Sequence, residues 1–97
     1  MHYELTIALK PDLAPDKSKK IAGEIEESVS KLGGKILETE SLGMRSLAYP
    51  IQGIGQASFG RYQLEVNPDK VGDLRRQLEQ EEDIVRVLII KGGANSK

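Results

Sequence analysis

The hydrophobic residues of this chain change period along its length, and the order of those changes restricts the fold more than any other feature. Over His2–Leu9, Tyr3, Leu5, Ile7 and Leu9 alternate with His2, Glu4, Thr6 and Ala8. A period of two predicts a strand with one buried face. Lys10-Pro11-Asp12 ends it, because proline has no N–H to give to a ladder. From Pro15 to Leu32 the period lengthens: Ile21, Ile25, Val29 and Leu32 form one apolar stripe, with Lys19, Lys20, Glu24, Glu26 and Glu27 around it. That is an amphipathic helix. Pro15 suits its first position and Asp16 complements its positive end. Gly33-Gly34 closes it, since glycine adopts the left-handed conformation after a helix without steric cost.

The second half repeats the sequence of periods. Lys35 to about Ile51 reads as one long strand, with Gly43 marking a bulge and Pro50 suiting an edge. Gln52-Gly53-Ile54-Gly55 is a hairpin tip, and Gln56 to Val66 is the returning strand. In that strand Tyr62, Leu64 and Val66 share one face, while Phe59, Arg61, Gln63 and Glu65 take the other. Asn67 is an N-cap with Pro68 at the first helical position, and Val71, Leu74 and Leu78 give the second helix its stripe. A last strand, Ile84 to Lys91, sets Val85, Val87 and Ile89 against Arg86, Leu88 and Ile90. The junctions Leu9-Lys10-Pro11-Asp12 and Val66-Asn67-Pro68-Asp69 echo each other.

Strand, helix, strand, strand, helix, strand is the split βαβ pattern. It predicts an α+β fold of the ferredoxin-like βαββαβ type, a two-layer sandwich with both helices on one face of a four-stranded antiparallel sheet. Residues 1–91 are expected to form the single domain and 92–97 a short flexible tail. No element remains to cover the other face of the sheet, so function is expected there.

The 97 residues include no Cys and one His, with 14 Lys plus Arg against 15 Asp plus Glu. A disulfide framework, a thiolate metal site and a cysteine nucleophile are therefore excluded. The start of the chain has no basic, apolar leader pattern, and Val87–Ile90, the longest apolar run, is far too short to cross a bilayer. His2 has no positioned partner that would make it a general base. Gly33-Gly34 and Gly53-Ile54-Gly55 are too sparse to cradle a phosphate and read as turn residues. The carboxylates form no loop of convergent oxygen ligands. We expect no catalytic residue, no metal, no cofactor, no small-molecule substrate and no membrane partner.

The residues that could carry chemistry lie on the strands. Arg45, Tyr49, Phe59, Arg61 and Arg86 bring cationic and aromatic side chains to the sheet. Arginine pairs with phosphates and stacks on bases, and aromatic rings supply stacking platforms. The competing reading is ordinary packing, with the arginines paired to Glu4, Glu38 or Glu65. Phe59-Gly60-Arg61-Tyr62 is only faintly like the third-strand motif of an RNA-recognition module. Leu88 and Ile90, on the same face as Arg86, point to a protein partner. The near-zero net charge is expected to average acidic helices against basic residues on the sheet, so that nonspecific electrostatics alone cannot carry binding.

Leu42-Gly43-Met44-Arg45-Ser46-Leu47-Ala48-Tyr49-Pro50-Ile51 carries a more specific signal. Together with Tyr3-Glu4-Leu5 at the start, Tyr62-Gln63-Leu64 in the third strand, the Asn-Pro helix entry and Arg86-Val87-Leu88-Ile89-Ile90-Lys91 at the end, it resembles the family of bacterial small-subunit ribosomal protein six. The resemblance spans Tyr3 to Lys91. It implies a non-enzymatic protein of the fold derived above that binds the central domain of small-subunit rRNA. It also implies a protein partner, small-subunit ribosomal protein eighteen, and a place in a cytoplasmic ribosome or an organelle ribosome of bacterial type. Carried over by position, Arg45, Tyr49 and Pro50 fall in the family's motif strand and Arg86 in its last strand, and Phe59 and Arg61 join them from the residue reading. Ser46 and the uncharged tip Gln52-Gly53-Ile54-Gly55 remove positive charge where family members often carry it. That shifts weight from rRNA to the protein partner. The alternative is a ferredoxin-like ligand-sensing module that dimerises through a sheet edge, with the long second strand as that edge. An acylphosphatase-like hydrolase would need an anion-binding loop after the first strand, which this chain lacks.

Overall fold

The structure, a computed structural model, describes residues 2–51 and 53–91, with the side chains of 48–51 and 54 outside the description. The elements run β1 (His2–Leu9), α1 (Pro15–Lys31), β2 (Lys35–Ile51), β3 (Ile54–Glu65), α2 (Val71–Glu79) and β4 (Ile84–Lys91), with a single 3-10 turn, Pro68–Lys70, leading into α2. The strands form one sheet in the order β2-β3-β1-β4, and every neighbouring pair is antiparallel. This is the ferredoxin-like arrangement expected from the periodicity. The expected tail, 92–97, lies outside the described residues.

The core forms where the two helical stripes meet one face of the sheet. Ile21, Ile25 and Val29 of α1 and Leu74 and Leu78 of α2 pack on Leu5, Ile7, Tyr62, Leu64 and Val87. Leu5, Ile25, Val29, Leu64 and Leu74 are completely buried, each stabilising the fold by roughly 1.5–3 kcal/mol through removal of apolar surface from water. The Tyr62 hydroxyl shares this environment, and burial, aided by Glu26, raises its pKa.

The helix boundaries follow from backbone chemistry. Pro15 opens α1 and Asp16 sits in its first turn. At its other end the Gly33 N–H donates to Ser30 O (3.0 Å) and the Gly34 N–H to Val29 O (2.9 Å). With Gly33 at φ +80°, this is a Schellman closure, which satisfies the last carbonyls of the helix. Gly34 is needed for a different reason. A Cβ there would lie 2.6 Å from the Glu65 carbonyl oxygen, so the chain enters β2 pressed against the end of β3. At the second junction Asn67 Oδ1 accepts from the Asp69 N–H at 3.0 Å, capping as expected.

The β2–β3 hairpin outruns the rest of the sheet. β1 pairs only with Ser58–Glu65 of β3, so the far ends of β2 and β3 form an arm. β2 is irregular: its register against β3 shifts between Ile36 and Glu38 and again between Ser41 and Gly43. Gly43, at φ +76°, is the bulge glycine expected from the sequence.

Candidate nucleic-acid interface

The register places the open-face residues in rows across the four strands. One row reads Gly43, Phe59, Ala8, Arg86, and the next Glu40, Arg61, Thr6, Leu88; a third reads Glu38, Gln63, Glu4, Ile90. Arg45 stands opposite Ala57 at the base of the arm. Adjacent strands lie about 4.8 Å apart, so Phe59 and Arg86, two strands apart, are separated by roughly 10 Å. Between them Ala8 is 1% exposed although it faces away from the helices. A methyl group flanked by a phenylalanine and an arginine is covered by those larger neighbours. Phe59 itself is half-buried and Arg86 exposed.

The three arginines of this face have different surroundings. Arg61 Nε and Nη2 both donate to Glu40 Oε1, at 3.1 and 2.5 Å. The hydrogen bond to Glu40, then its charge, and then the charges of Glu4 and Glu38 raise the guanidinium pKa above its already high ordinary value. Arg45 Nε donates to the Leu42 carbonyl at 3.3 Å, a bond that orients the side chain and leaves its charge uncompensated. Neither Arg45 nor Arg86 makes an ion pair among the described residues.

The open face is therefore polarised. One end carries Arg45, Phe59 and Arg86. The other carries Glu4 and Glu38, with Gln63 between them: His2 Nε2 lies 2.8 Å from Gln63 Oε1, and Gln63 Nε2 donates to Glu4 at 3.5 Å. This corrects the expectation that acidic residues gather on the helices and basic ones on the sheet. Glu4, Glu38 and Glu40 share the sheet face with the arginines. Leu88 and Ile90, each 46% exposed, lie beside this acidic end.

Of the residues singled out in the sequence, the structure brings Phe59 and Arg86 into one row, with Arg45 beyond it and Arg61 one row below. Tyr49 and Pro50 belong to β2, and their side chains lie outside the described residues. Sequence reasoning missed Glu40 as the partner of Arg61. The register shift at Leu37 brings Glu40 opposite Arg61, and no glycine or proline announces that shift. It also missed Ala8, whose burial shows only when its cross-strand neighbours are known. Among the described residues, no group of three or more His, Asp or Glu could hold a metal ion, and no helix is long and apolar enough to cross a membrane. On the opposite side, a groove of 280 Å³ between the helices is lined by Glu24, Ile25, Leu78 and Glu81 among others. There the Glu24 carboxyl is raised above its ordinary pKa, first by a hydrogen bond with Glu81 and then by desolvation.

Residues 2–91 match the family model for ribosomal protein S6. The chain belongs to the ribosomal protein S6 family. Small ribosomal subunit protein bS6 of Aquifex aeolicus is 39% identical over 88 residues, covering 90% of this chain and 80% of that one. The bS6 protein of Thermus thermophilus is 35% identical over 89 residues, covering 92% and 88%. The crystal structure of 30S ribosomal protein S6 from Thermotoga maritima has a TM-score of 0.84 at 18% identity, over 92% of this chain and 84% of that one. The C-terminal domain of the MgtC protein from Mycobacterium tuberculosis has a TM-score of 0.64 at 14% identity, over 99% and 93%. Identities this low speak for the fold alone. The S6 family consists of structural proteins of the small ribosomal subunit, and membership agrees with the resemblance centred on Leu47–Ile51.

Proposed function

We propose that this S6-family chain is a non-catalytic component of the small ribosomal subunit that binds the central domain of small-subunit rRNA together with small-subunit ribosomal protein eighteen. On this reading it works in a cytoplasmic ribosome or an organelle ribosome of bacterial type. The observation that carries the reading is the polarity of the open sheet face. Arg45 and Arg86 are exposed and free of ion pairs among the described residues, and they flank Phe59. Phosphates are attracted to that end and repelled by Glu4 and Glu38 at the other. Tyr49 and Pro50, in the arm, join the same end in this proposal, and Arg61 takes a lesser part because Glu40 already holds it.

With Arg45 and Arg86 the arginines without an ion pair on this face among the described residues, the face offers few phosphate contacts and a shallow dependence of affinity on salt. Each contact adds about 0.7–0.9 to the log–log slope, so two arginines supply only a modest share of a specific complex. A second protein on the same RNA would supply the rest, and the exposed Leu88 and Ile90 beside the carboxylates suit a protein surface better than a phosphate backbone. Family membership favours this reading over the ligand-sensing module.

Arg45→Ala and Arg86→Ala test it. Each should weaken binding of a central-domain rRNA fragment and lower the salt slope by about 0.7–0.9, without moving the melting temperature. Unchanged slopes in both variants would remove this end of the sheet from the RNA contact.

A further inference from the structure

The sheet has two edges, and they differ in their fitness to accept another strand. The β2 edge is interrupted by register shifts at Leu37 and before Gly43, and it carries Pro50. Bulges and proline blunt an edge against strand addition. Ile84–Lys91 has neither glycine nor proline, and its ladder with β1 is regular from Tyr3 to Ala8. Arg75 Nη2, from α2, donates to the Val87 carbonyl at 3.4 Å, so that carbonyl points away from β1. Main-chain groups alternate sides along an antiparallel strand. Val87 and Ile89 therefore present their N–H and C=O groups outward, and no strand pairs with them among the described residues.

The charges along this edge are ordered. At its Ile84 end a groove of 410 Å³ is lined by Glu79, Glu81, Glu82 and Val85 among others. Glu79 is paired with Arg75, and Glu81 is hydrogen-bonded to Glu24. Glu82 is exposed and has no cationic partner among the described residues. At the other end Lys91 is exposed and likewise makes no ion pair among them. A basic strand laid along this edge would meet Arg86 and Lys91, and an acidic one would meet Glu82. A neutral strand would leave both ends unmatched. An antiparallel copy of β4 reverses the order, so that the cation of each copy comes to the carboxylate of the other.

We propose that free copies of this chain pair through β4 in an antiparallel two-fold dimer, with Leu88 opposite Leu88 of the second copy, joining the two sheets into one. Outward groups must meet outward groups, which leaves few registers. Val87 opposite Val85 would set the two Arg86 side chains directly against each other, a destabilising pair. Val87 opposite Val87 would leave them on a diagonal of about 7–8 Å. Val87 opposite Ile89 separates them by roughly 13 Å along the strands. That register pairs Leu88, 46% exposed, with its counterpart and Arg86 with Ile90. It also brings Lys91 of each copy level with Val85 of the other, at the groove that holds Glu82. Ile89 opposite Ile89 would carry Lys91 past that groove to Val87. The contact is self-complementary and closes at two copies. A single pair of strands falls at the low end of interface size, under roughly 1,200 Å², so the dimer exchanges with monomer. Arg75 covers the Val87 carbonyl and is displaced on pairing. The open face stays uncovered, and the dimer does not depend on the rRNA reading.

The test is analytical ultracentrifugation of the full chain from micromolar to millimolar concentration, with amide hydrogen exchange read by NMR over the same series. A monomer–dimer equilibrium weakened by salt is expected, with exchange at the Val87 and Ile89 amides slowing as the dimer forms. Leu88→Lys, at an exposed position that the core does not use, should abolish the dimer by opposing two lysines at the two-fold axis. Lys91→Glu or Glu82→Lys alone should weaken it severalfold. Mixing those two single variants should restore it, because each supplies the charge that the other lacks. Arg75→Ala should tighten it. A chain that stays monomeric throughout, a dimer indifferent to Leu88→Lys, protection that falls on β2 instead of β4, or no restoration on mixing would overturn the proposal. Protection of Val87 and Ile89 in a chain that stays monomeric until another protein is added would overturn it in favour of that partner. No RNA enters the experiment, so its failure is distinguishable from failure of the rRNA reading.

Discussion

Replacing Glu40 with glutamine should turn Arg61 from a committed cation into an available one. In the parent chain the Arg61 guanidinium spends two N–H groups on one carboxylate oxygen of Glu40, and that carboxylate is the main cause of its raised pKa. Glutamine keeps the shape and one acceptor but removes the charge. If the freed guanidinium gains one phosphate contact, the salt slope of rRNA binding steepens by about 0.7–0.9. At roughly 0.1 M salt, referred to 1 M, that is about five- to eight-fold tighter binding. Both side chains are substantially exposed, so the melting temperature should move little. A filter-binding titration of a central-domain rRNA fragment over a KCl series reads the slope. The reciprocal variant completes the cycle: Arg61→Ala should cost little in the parent chain and should erase the gain in the Glu40→Gln background. An unchanged slope for Glu40→Gln, or a loss from Arg61→Ala as large as that from Arg86→Ala, would refute the reasoning.

Two further predictions concern stability. Gly34→Ala should cost about 1–3 kcal/mol in urea unfolding, the usual range for forcing an added carbon into occupied space, because its Cβ would meet the Glu65 carbonyl oxygen at 2.6 Å. Gly33→Ala should cost about 1–2 kcal/mol by conformation alone, since φ is +80° with open space around it; asparagine should rescue position 33 and not position 34. Glu81→Gln should raise the melting temperature near neutral pH and change it little in acid. The Glu24 carboxyl, raised by Glu81, contributes stability that is complete below its unfolded pKa and lost as pH rises through the folded one. At neutral pH the parent therefore carries the repulsion that glutamine removes. A stabilisation larger in acid than at neutral pH would contradict this sign.

The element order was legible because each segment announces its own period. The β1 alternation and the stripe Ile21, Ile25, Val29 read directly onto the buried residues. Local stops were equally readable: Gly33-Gly34 and Asn67-Pro68 act through their own backbone chemistry, which needs no tertiary context. Gly43 could be recognised as a bulge because only a positive φ asks for glycine in mid-strand. The register shift at Leu37 could not, since leucine there carries no backbone signature. That one residue decides which glutamate faces Arg61, so the candidate site was less legible than the fold. The sequence places three arginines on the sheet, but only the register distinguishes Arg61, held by Glu40, from Arg45 and Arg86, which make no ion pair among the described residues. Pairing between distant strands is a property of the whole sheet, and a bulge without glycine changes it silently.

In the proposed function, this chain and small-subunit ribosomal protein eighteen bind the central domain of small-subunit rRNA together. Calorimetric titration of a central-domain rRNA fragment with this chain, alone and in the presence of that protein, tests it most directly. Weak binding alone and much tighter binding alongside the partner are expected. Equal affinity in the two titrations would contradict the claim.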